Sequence, residues 1–214
     1  LPEARRLFRS IADAAVASVR TRSVSEDLAV RRVVAGALRV VEADAVQLPG
    51  YVPTLLEWGF GVDALDPPEP LGDFAITGRV DRIDTDGASL IVIDYKSGRV
   101  NADRAHGAFE KSGLVQLPLY AAVASRRLGY AVAGGVYRPI GSGKPRGFIL
   151  SDLRDVTFVR TDAIDAETIP ALIDDAITRA SSAVRGMRAG KIEPEPRATT
   201  CPAYCPARDL CTRR

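Results

Sequence analysis

The spacing of apolar residues changes along the chain, and the changes predict a mixture of helices and strands. Two N-terminal stretches have apolar positions at helical spacing, residues 7–19 and residues 25–46, with Ser25 as a candidate cap of the second. Further helices are predicted over 117–128 and 166–187. Alternating or continuous apolar runs predict five strands, at 55–62, 74–84, 90–95, 131–137 and 147–150.

The second and third predicted strands are separated by a short turn, Thr85-Asp86-Gly87-Ala88, which is typical of a β-hairpin. Because this hairpin is antiparallel while helices separate the other strands, we expect an α/β fold: a central mixed sheet that contains the hairpin and is flanked by helices. We place this domain at 1–198, with a helical N-terminal part at 1–46, and assign 199–214 to a cysteine-containing C-terminal tail.

Composition narrows the classes of protein that fit this pattern. No run of residues is apolar enough to cross a bilayer and the first residues do not resemble a signal peptide, so we expect no membrane association and a cytoplasmic location. The single histidine, His106, excludes a multi-histidine metal site within the chain. Arginine accounts for 25 of the 29 basic residues, which suits phosphate binding or equally reflects genomic base composition. The first residue is not methionine, and we interpret the chain as a segment of a longer protein.

Charged residues follow an apolar run at the end of the second hairpin strand. Residues 90–93 are all apolar, as in a strand buried on both faces, and Asp94 and Lys96 then share one face because side chains alternate. On the partner strand, Asp81 lies on that same face in two of the three simplest registers. A two-residue turn places it opposite Val92 and a four-residue loop places it opposite Asp94, whereas a three-residue loop turns it away.

Two carboxylates on adjacent strands repel each other unless a cation neutralises them. Mg²⁺ prefers oxygen ligands and is often held by one or two carboxylates together with a substrate phosphate. A lysine beside them suits holding a water or stabilising charge on a phosphate. The pattern therefore predicts metal-assisted phosphodiester hydrolysis with Asp81 and Asp94 as metal ligands. The alternative is a surface hairpin with a salt bridge, either Asp94 with Lys96 or Asp81 with Arg79.

Gln116 and Tyr120 open the helix that follows the hairpin. They are four residues apart and therefore share one helical face. An amide and a phenol at this place can orient Lys96, a water or a DNA phosphate. The alternative is helix capping together with a partly buried tyrosine.

Three segments in this order resemble the RecB-type branch of the PD-(D/E)-x-K nucleases: 78–84 (GRVDRID), 93–98 (IDYKSG) and 116–120 (QLPLY). The resemblance covers about residues 54–140 and the tail, and is nearest to the C-terminal nuclease domain of AddB-like helicase–nuclease subunits. It implies a restriction-endonuclease-like core, dependence on Mg²⁺ or Mn²⁺, and DNA cleavage in the processing of double-strand ends. It also implies roles for individual residues: metal binding by Asp81 and Asp94, catalysis by Lys96, and support by Gln116 and Tyr120.

Two further residues are judged against the family pattern. Glu57, in the segment EWGF, resembles the acidic strand that often precedes the hairpin and is a candidate site residue, the alternative being a strand-edge charge. The family usually has a Gly-x-x-x-His motif on an earlier helix, and this chain has no histidine there. His106 follows Lys96 and is interpreted as a solvated loop residue or a DNA contact. A catalytically inactive DNA-binding or architectural module with the same fold therefore remains an alternative.

No Walker motif is present, so we expect a helicase motor in cis or in trans.

All three cysteines lie in the tail, at Cys201, Cys205 and Cys211. An odd, clustered set argues for a reducing compartment, and thiolates this close suit a soft metal or an iron-sulfur cluster. The resemblance implies a 4Fe-4S cluster held by three C-terminal cysteines and one distant upstream cysteine. Here the first gap is one residue shorter and the fourth cysteine is absent. We therefore expect an incomplete site in this chain and a cluster in the intact parent, with a three-thiolate zinc site or free thiols as alternatives.

Overall fold

A computed structural model of the chain describes residues 2–47, 50–63, 65–98, 100–140, 144–153 and 158–191. Its helices are α1 (Pro2–Ser18), α2 (Val24–Gln47), α3 (Phe109–Ser112), α4 (Gln116–Leu128) and α5 (Thr168–Arg188). Its strands are β1 (Val52–Phe60), β2 (Glu69–Leu71), β3 (Phe74–Ile76), β4 (Gly78–Thr85), β5 (Ser89–Lys96), β6 (Ala131–Pro139), β7 (Arg146–Leu150) and β8 (Ala163–Ile164). None of the helices within these ranges has the length and apolar character that crossing a membrane demands.

Six of the strands form one mixed sheet in the order β1-β4-β5-β6-β7-β8. The neighbours β5 and β6 are parallel, as are β7 and β8, and the other neighbours are antiparallel. Helix α4 connects the parallel pair β5 and β6, as a parallel connection requires. The expected mixed sheet with an antiparallel hairpin, flanked by helices, is confirmed.

Each face of this sheet buries its own apolar cluster, and α4 and α5 cover one face. The cluster on the helical face includes Leu90, Val92, Leu117, Val123, Ile169 and Ala176. The cluster on the opposite face includes Ile91, Ile93, Val136, Ile149 and Phe158. Consecutive residues of β5 thus alternate between two buried clusters, which explains why residues 90–93 are all apolar.

The β4–β5 hairpin adopts the register that the four-residue loop predicts. Thr85 pairs with Leu90, Ile83 with Val92 and Arg82 with Ile93. In the turn, the Asp86 carboxylate accepts the backbone N–H groups of Ala88 and Ser89 at 2.9 and 2.7 Å, and Gly87 has a φ of 93°. The local chemistry of the turn therefore sets the register of the two strands that carry the candidate acids.

Three local predictions differ from the structure. The strand predicted over 74–84 is divided into β3 and β4, and β3 pairs with β2 in a separate two-stranded sheet. The segment after β5, where His106 is predicted to be a solvated loop residue, contains two 3₁₀ turns and α3, and it buries Phe109 at 1% exposure. Helix α2 begins one residue earlier than predicted, and its side-chain cap is Ser23, which accepts the backbone N–H of Glu26 at 3.2 Å, rather than Ser25.

The two N-terminal helices contribute little to either cluster. Leu7 and Ile11, the largest side chains of the apolar spacing predicted in α1, are 63% and 61% exposed, whereas Ala12 is buried. Helix α2 meets the rest of the domain where Gly36 packs against Ile140, so closely that a Cβ at Gly36 would lie 2.5 Å from the Ile140 carbonyl oxygen. Both helices were predicted correctly, but the apolar spacing of α1 does not mark a buried face, and that of α2 marks one that is mostly half-buried.

We predict that Gly147→Ala strongly destabilises the fold. Gly147, in β7, has a φ of 146°, and an added Cβ would lie 2.1 Å from the carbonyl oxygen of Gly135 on β6. Backbone strain and overpacking together are expected to cost about 3 kcal/mol or more of unfolding free energy, measured by urea denaturation.

The matched control for this substitution is Gly107→Ala, because an added Cβ at Gly107 meets nothing within 4 Å. We expect that variant to unfold within about 0.5 kcal/mol of the wild-type protein. Equal stability of the two variants would contradict the close approach of β6 and β7 at this position.

Candidate active site

Asp94 lies near the C-terminal end of β5 and is buried, with 6% of its surface exposed. It pairs with Tyr137 of the parallel strand β6, and the two side chains lie on the helical face of the sheet because paired residues share a face. A carboxylate this deeply buried is unfavourable unless ion pairs and hydrogen bonds compensate its charge.

Lys96 and Gln116 supply that compensation. Lys96 Nζ lies 2.5 Å from Asp94 Oδ2, and Gln116 Nε2 donates to Asp94 Oδ1 at 2.8 Å. Gln116 Oε1 in turn accepts from Lys96 Nζ at 3.4 Å. The amide orientation follows from chemistry, because a carboxylate only accepts hydrogen bonds and an ammonium only donates them. From the first turn of α4, Gln116 thus links the Asp94 carboxylate to the Lys96 ammonium group.

Asp81 joins the group at the point where β4 and β5 stop pairing. The backbone ladder ends at Arg82 and Ile93, and the register extended by one residue places Asp81 opposite Asp94. Instead of a backbone group, the Asp81 carboxylate accepts the N–H of Tyr95 at 2.7 Å through Oδ2. This bond holds the second carboxylate beside the first and leaves its other oxygen to a further ligand.

Burial raises the pKa of Asp94, and the negative charge of Asp81 raises it further. The hydrogen bond and charge of Lys96 oppose this shift, and the positive charge of Arg104 adds to that opposition. The site therefore holds two carboxylates at close range with one of them poorly solvated, which is the electrostatic condition that a bound cation relieves.

The donor set fits a hard divalent cation. Asp94 Oδ2 is buried and, apart from the ion pair with Lys96, has no hydrogen-bond donor among the described residues. Asp81 and Asp94 are two carboxylates, the number that often holds Mg²⁺ when waters and substrate phosphates complete its shell. In the described part of the chain, no group of three or more acidic, histidine or cysteine side chains converges.

The charged residues of the hairpin motif have separate roles. Arg82 and Asp84 share the opposite face of the sheet with Ile93 and Ile91, and form a buried bidentate ion pair at 2.5 and 2.6 Å. Arg82 also donates to the Tyr95 hydroxyl at 3.1 Å. Arg82 and Asp84 therefore stabilise the hairpin on the face of the sheet opposite the candidate site, whereas Asp81 belongs to the site itself.

Among the described residues, neither Tyr120 nor Glu57 joins the hydrogen-bond network of the site. The Tyr120 ring packs edge-on against Phe60, with ring centres 5.5 Å apart. Glu57 has a left-handed φ of 50°, is 66% exposed at its side chain, and lies 3.9 Å from Arg79. Arg79 therefore pairs with Glu57 and not with Asp81, the partner considered in the sequence analysis. The site roles of Tyr120 and Glu57 stay predictions.

Two site neighbours were missed by the sequence reasoning, Tyr137 and Arg104. Tyr137 is fully buried, and no described residue makes a hydrogen bond of good geometry to its hydroxyl. Burial and the charge of Asp94 raise its pKa to about 12, while the charge of Arg104 and weaker polar contacts with Leu117 and Arg104 oppose the rise. The sequence did contain a signal for Tyr137, which ends a predicted strand that follows a helix. Two strands joined by a helix are often parallel, and their C-terminal ends then lie at the same edge of the sheet. Arg104 lies in a polar segment whose sequence contains no pattern that marks it as a site residue.

The remaining candidates lie outside this cluster. His106 is half-buried in the 3₁₀ turn His106–Ala108, and its Nδ1 is buried without a hydrogen-bond partner among the described residues. The interpretation of His106 as solvated is therefore only partly correct. Cys201, Cys205 and Cys211 fall outside the described residues.

The comparison with protein families agrees with this geometry. The family model described as the PD-(D/E)XK nuclease superfamily matches residues 1–212. The chain belongs to the PD-(D/E)XK nuclease superfamily, and its mixed six-stranded sheet flanked by helices is consistent with the restriction-endonuclease-like fold. No curated protein matches the chain. Membership makes this a nuclease-type domain, in a superfamily that typically uses divalent metals such as Mg²⁺.

We predict that Asp94 in the metal-free protein titrates above its ordinary pKa of 3.8. Because the folded-state pKa exceeds the unfolded one, the ionised form of Asp94 lowers the stability of the fold at neutral pH. That cost disappears as the pH falls through the folded-state pKa. Carboxyl-carbon NMR measures the midpoint directly.

Lys96→Ala sharpens this test, because removing the opposing positive charge should move the Asp94 midpoint further upward. Asp86 serves as an internal reference, since backbone N–H groups of the turn lower its pKa. A midpoint for Asp94 at or below that of Asp86 would contradict the buried site described above.

Proposed function

We propose that this domain is a divalent-metal-dependent deoxyribonuclease that hydrolyses DNA phosphodiester bonds in the processing of DNA ends. The observation that carries the proposal is the cluster of Asp81, Asp94, Lys96 and Gln116 in a chain of the PD-(D/E)XK superfamily. Two carboxylates, an ammonium and a bridging amide converge where β4 and β5 separate.

In this proposal, Asp81 and Asp94 hold Mg²⁺ or Mn²⁺. The bound ion supplies Lewis-acid polarisation of a phosphoryl oxygen and a more acidic water. Lys96 places a positive charge where negative charge develops on the phosphate, and Gln116 fixes the position of the Lys96 ammonium group by accepting a hydrogen bond from it. Overall, a water oxygen bonds to phosphorus and gives up a proton, one phosphorus–oxygen ester bond breaks, and the departing sugar oxygen takes up a proton.

A catalytically inactive DNA-binding module is the second candidate. The observation that favours it is that only two carboxylates converge, with no third acidic, histidine or cysteine ligand beside them in the described ranges. Such a module would keep the fold and its arginine-rich surface but would not cut DNA. The cleavage test below separates the two candidates.

We further propose that the domain works in DNA repair with a helicase motor, in cis or in trans. The support is the resemblance of three motifs, 78–84, 93–98 and 116–120, to RecB-type nucleases and to AddB-like subunits in particular. The partner would deliver the DNA strand, because this chain contains no Walker motif of its own.

The cysteine tail supports a more specific proposal, a 4Fe-4S cluster in the intact parent protein. The support is the spacing of Cys201, Cys205 and Cys211, with a fourth ligand from elsewhere. Iron and sulfide analysis of anaerobically purified parent protein tests it. Absence of both elements from that protein would contradict it.

Cleavage of linear single- and double-stranded DNA in Mg²⁺, Mn²⁺ or EDTA tests the nuclease directly. We expect metal-dependent cutting by the wild-type chain and a loss of about 100- to 1,000-fold in Lys96→Ala, the range for removing one preorganised hydrogen-bond donor. Asp81→Asn should also weaken Mn²⁺ binding, followed by electron paramagnetic resonance.

Lys191→Ala is the matched control, because Lys191 is exposed after the C-terminal end of α5. It should cut at the wild-type rate. Folded protein that binds DNA but cuts in no metal would favour the inactive module, and cutting unaffected by Lys96→Ala would contradict the assigned site.

A further inference from the structure

Arg104 lies beside the site, on the 3₁₀ turn Ala102–Arg104 that follows β5. Its guanidinium carbon is 5.0 Å from the centre of the Tyr137 ring, and Lys96 Nζ is 5.2 Å from the same centre. Two cations therefore converge on one aromatic ring. Like charges gathered in this way repel each other unless anions lie near both.

The Tyr137 ring is a rigid platform for these cations. It is fully buried, and Phe109 packs edge-on against it with ring centres 6.4 Å apart. Because Tyr137 pairs with Asp94 across the parallel strands, the platform adjoins the buried carboxylate. Arg104 is near enough for its charge to help lower the pKa of Asp94.

Arg104 differs from three other shielded arginines of the described residues in its lack of an ion pair. It is half-buried, yet no acidic side chain among the described residues forms a salt bridge with it. Other shielded arginines are paired: Arg82 with Asp84, Arg127 with Asp66 and Glu69, and Arg146 with Asp162. A partly desolvated guanidinium whose donors lack a carboxylate is suited to an anionic ligand.

The charge balance of the site indicates which anion. Asp81 and Asp94 carry two negative charges, which Lys96 and Arg104 cancel. A divalent cation then adds two positive charges, and the five-coordinate phosphorus species of phosphodiester hydrolysis carries two negative charges. The site with metal and transition state is neutral only when Arg104 is counted.

We infer that Arg104 binds the phosphate undergoing cleavage, with its guanidinium held on the Tyr137 ring and its N–H groups donated to non-bridging phosphate oxygens. The inference rests on the proposed nuclease function and adds a substrate-contacting residue to it. Arginine suits this place better than lysine, because its planar fork both stacks on an aromatic ring and donates two parallel hydrogen bonds.

The test compares Arg104→Ala, Arg104→Lys and the control Arg20→Ala, an exposed arginine of the α1–α2 link. We expect Arg104→Ala to lower kcat/KM for DNA by about 10- to 100-fold, the range for a lost charge-assisted hydrogen bond. Arg104→Lys keeps a cation on the ring and should fall between. Thermal unfolding of each variant identifies any loss of fold.

Binding gives a second readout that does not need cleavage. The affinity for duplex DNA is measured against salt in Ca²⁺, a hard cation for the same oxygen ligands, and gels confirm that the DNA stays intact. Loss of one phosphate contact should reduce the slope of log affinity against log salt by about 0.9. Arg20→Ala should leave the slope at the wild-type value.

The outcomes separate this inference from the proposed function. Wild-type cleavage with Arg104→Ala as active as the control would overturn the role of Arg104 and leave the nuclease standing. If the wild-type protein cuts in no metal, the nuclease proposal fails and the salt slope decides alone. A slope lowered by about one unit then supports a phosphate contact in a DNA-binding module, and an unchanged slope overturns it.

Discussion

The carboxylate of Asp94, held at 6% exposure at the end of an apolar strand, is the constraint on which the site depends. Ionising it there requires nearby positive charge and donors, and Lys96 and Gln116 provide them at 2.5 and 2.8 Å. The placement of Asp81 adds a second negative charge beside it, and Arg104 supplies a second positive charge from the turn after β5. Two neighbouring carboxylates, one of them poorly solvated, still give the site an electrostatic reason to bind a cation, and the chain belongs to a superfamily whose members typically use divalent metals.

The β4–β5 hairpin meets two requirements because its side chains divide between two faces. Arg82 and Asp84 form a buried pair that is linked to Tyr95 behind the sheet, and this pair stiffens the strands from the side opposite the site. The backbone pairing of β4 with β5 ends at Arg82 and Ile93, one residue before Asp81 and Asp94. Beyond that point, the Asp81 carboxylate accepts the N–H of Tyr95 in place of a backbone carbonyl of β4. Anchoring on one face thus allows the strands to separate beside Asp81 and Asp94, where the proposed function places the phosphate.

Much of this arrangement could be predicted because it depends on residues close together in sequence. The turn around Gly87 sets the hairpin register, and the four-residue spacing of α4 identifies the face that carries Gln116. Other predictions failed where distant packing decides. The segment 74–84 is split because β3 pairs with β2, and the apolar stripe of α1 is exposed because no other described element covers it. The site role of Tyr120 is neither confirmed nor excluded by the packing of its ring on Phe60, and it stays a prediction.

By itself, the sequence determined the main helices and strands and limited the hairpin to a few registers, two of which group Asp81 with Asp94 and Lys96. Short turns and side-chain periodicity dictate these features locally. Only the tertiary structure decided that β6 lies parallel to β5, which brings Tyr137 beside Asp94 and gives Arg104 an aromatic surface. The pairing joins segments separated by the whole of α4, and its register depends on how that helix packs over the sheet. No pattern within one segment records this packing, because it is a property of the surfaces that meet.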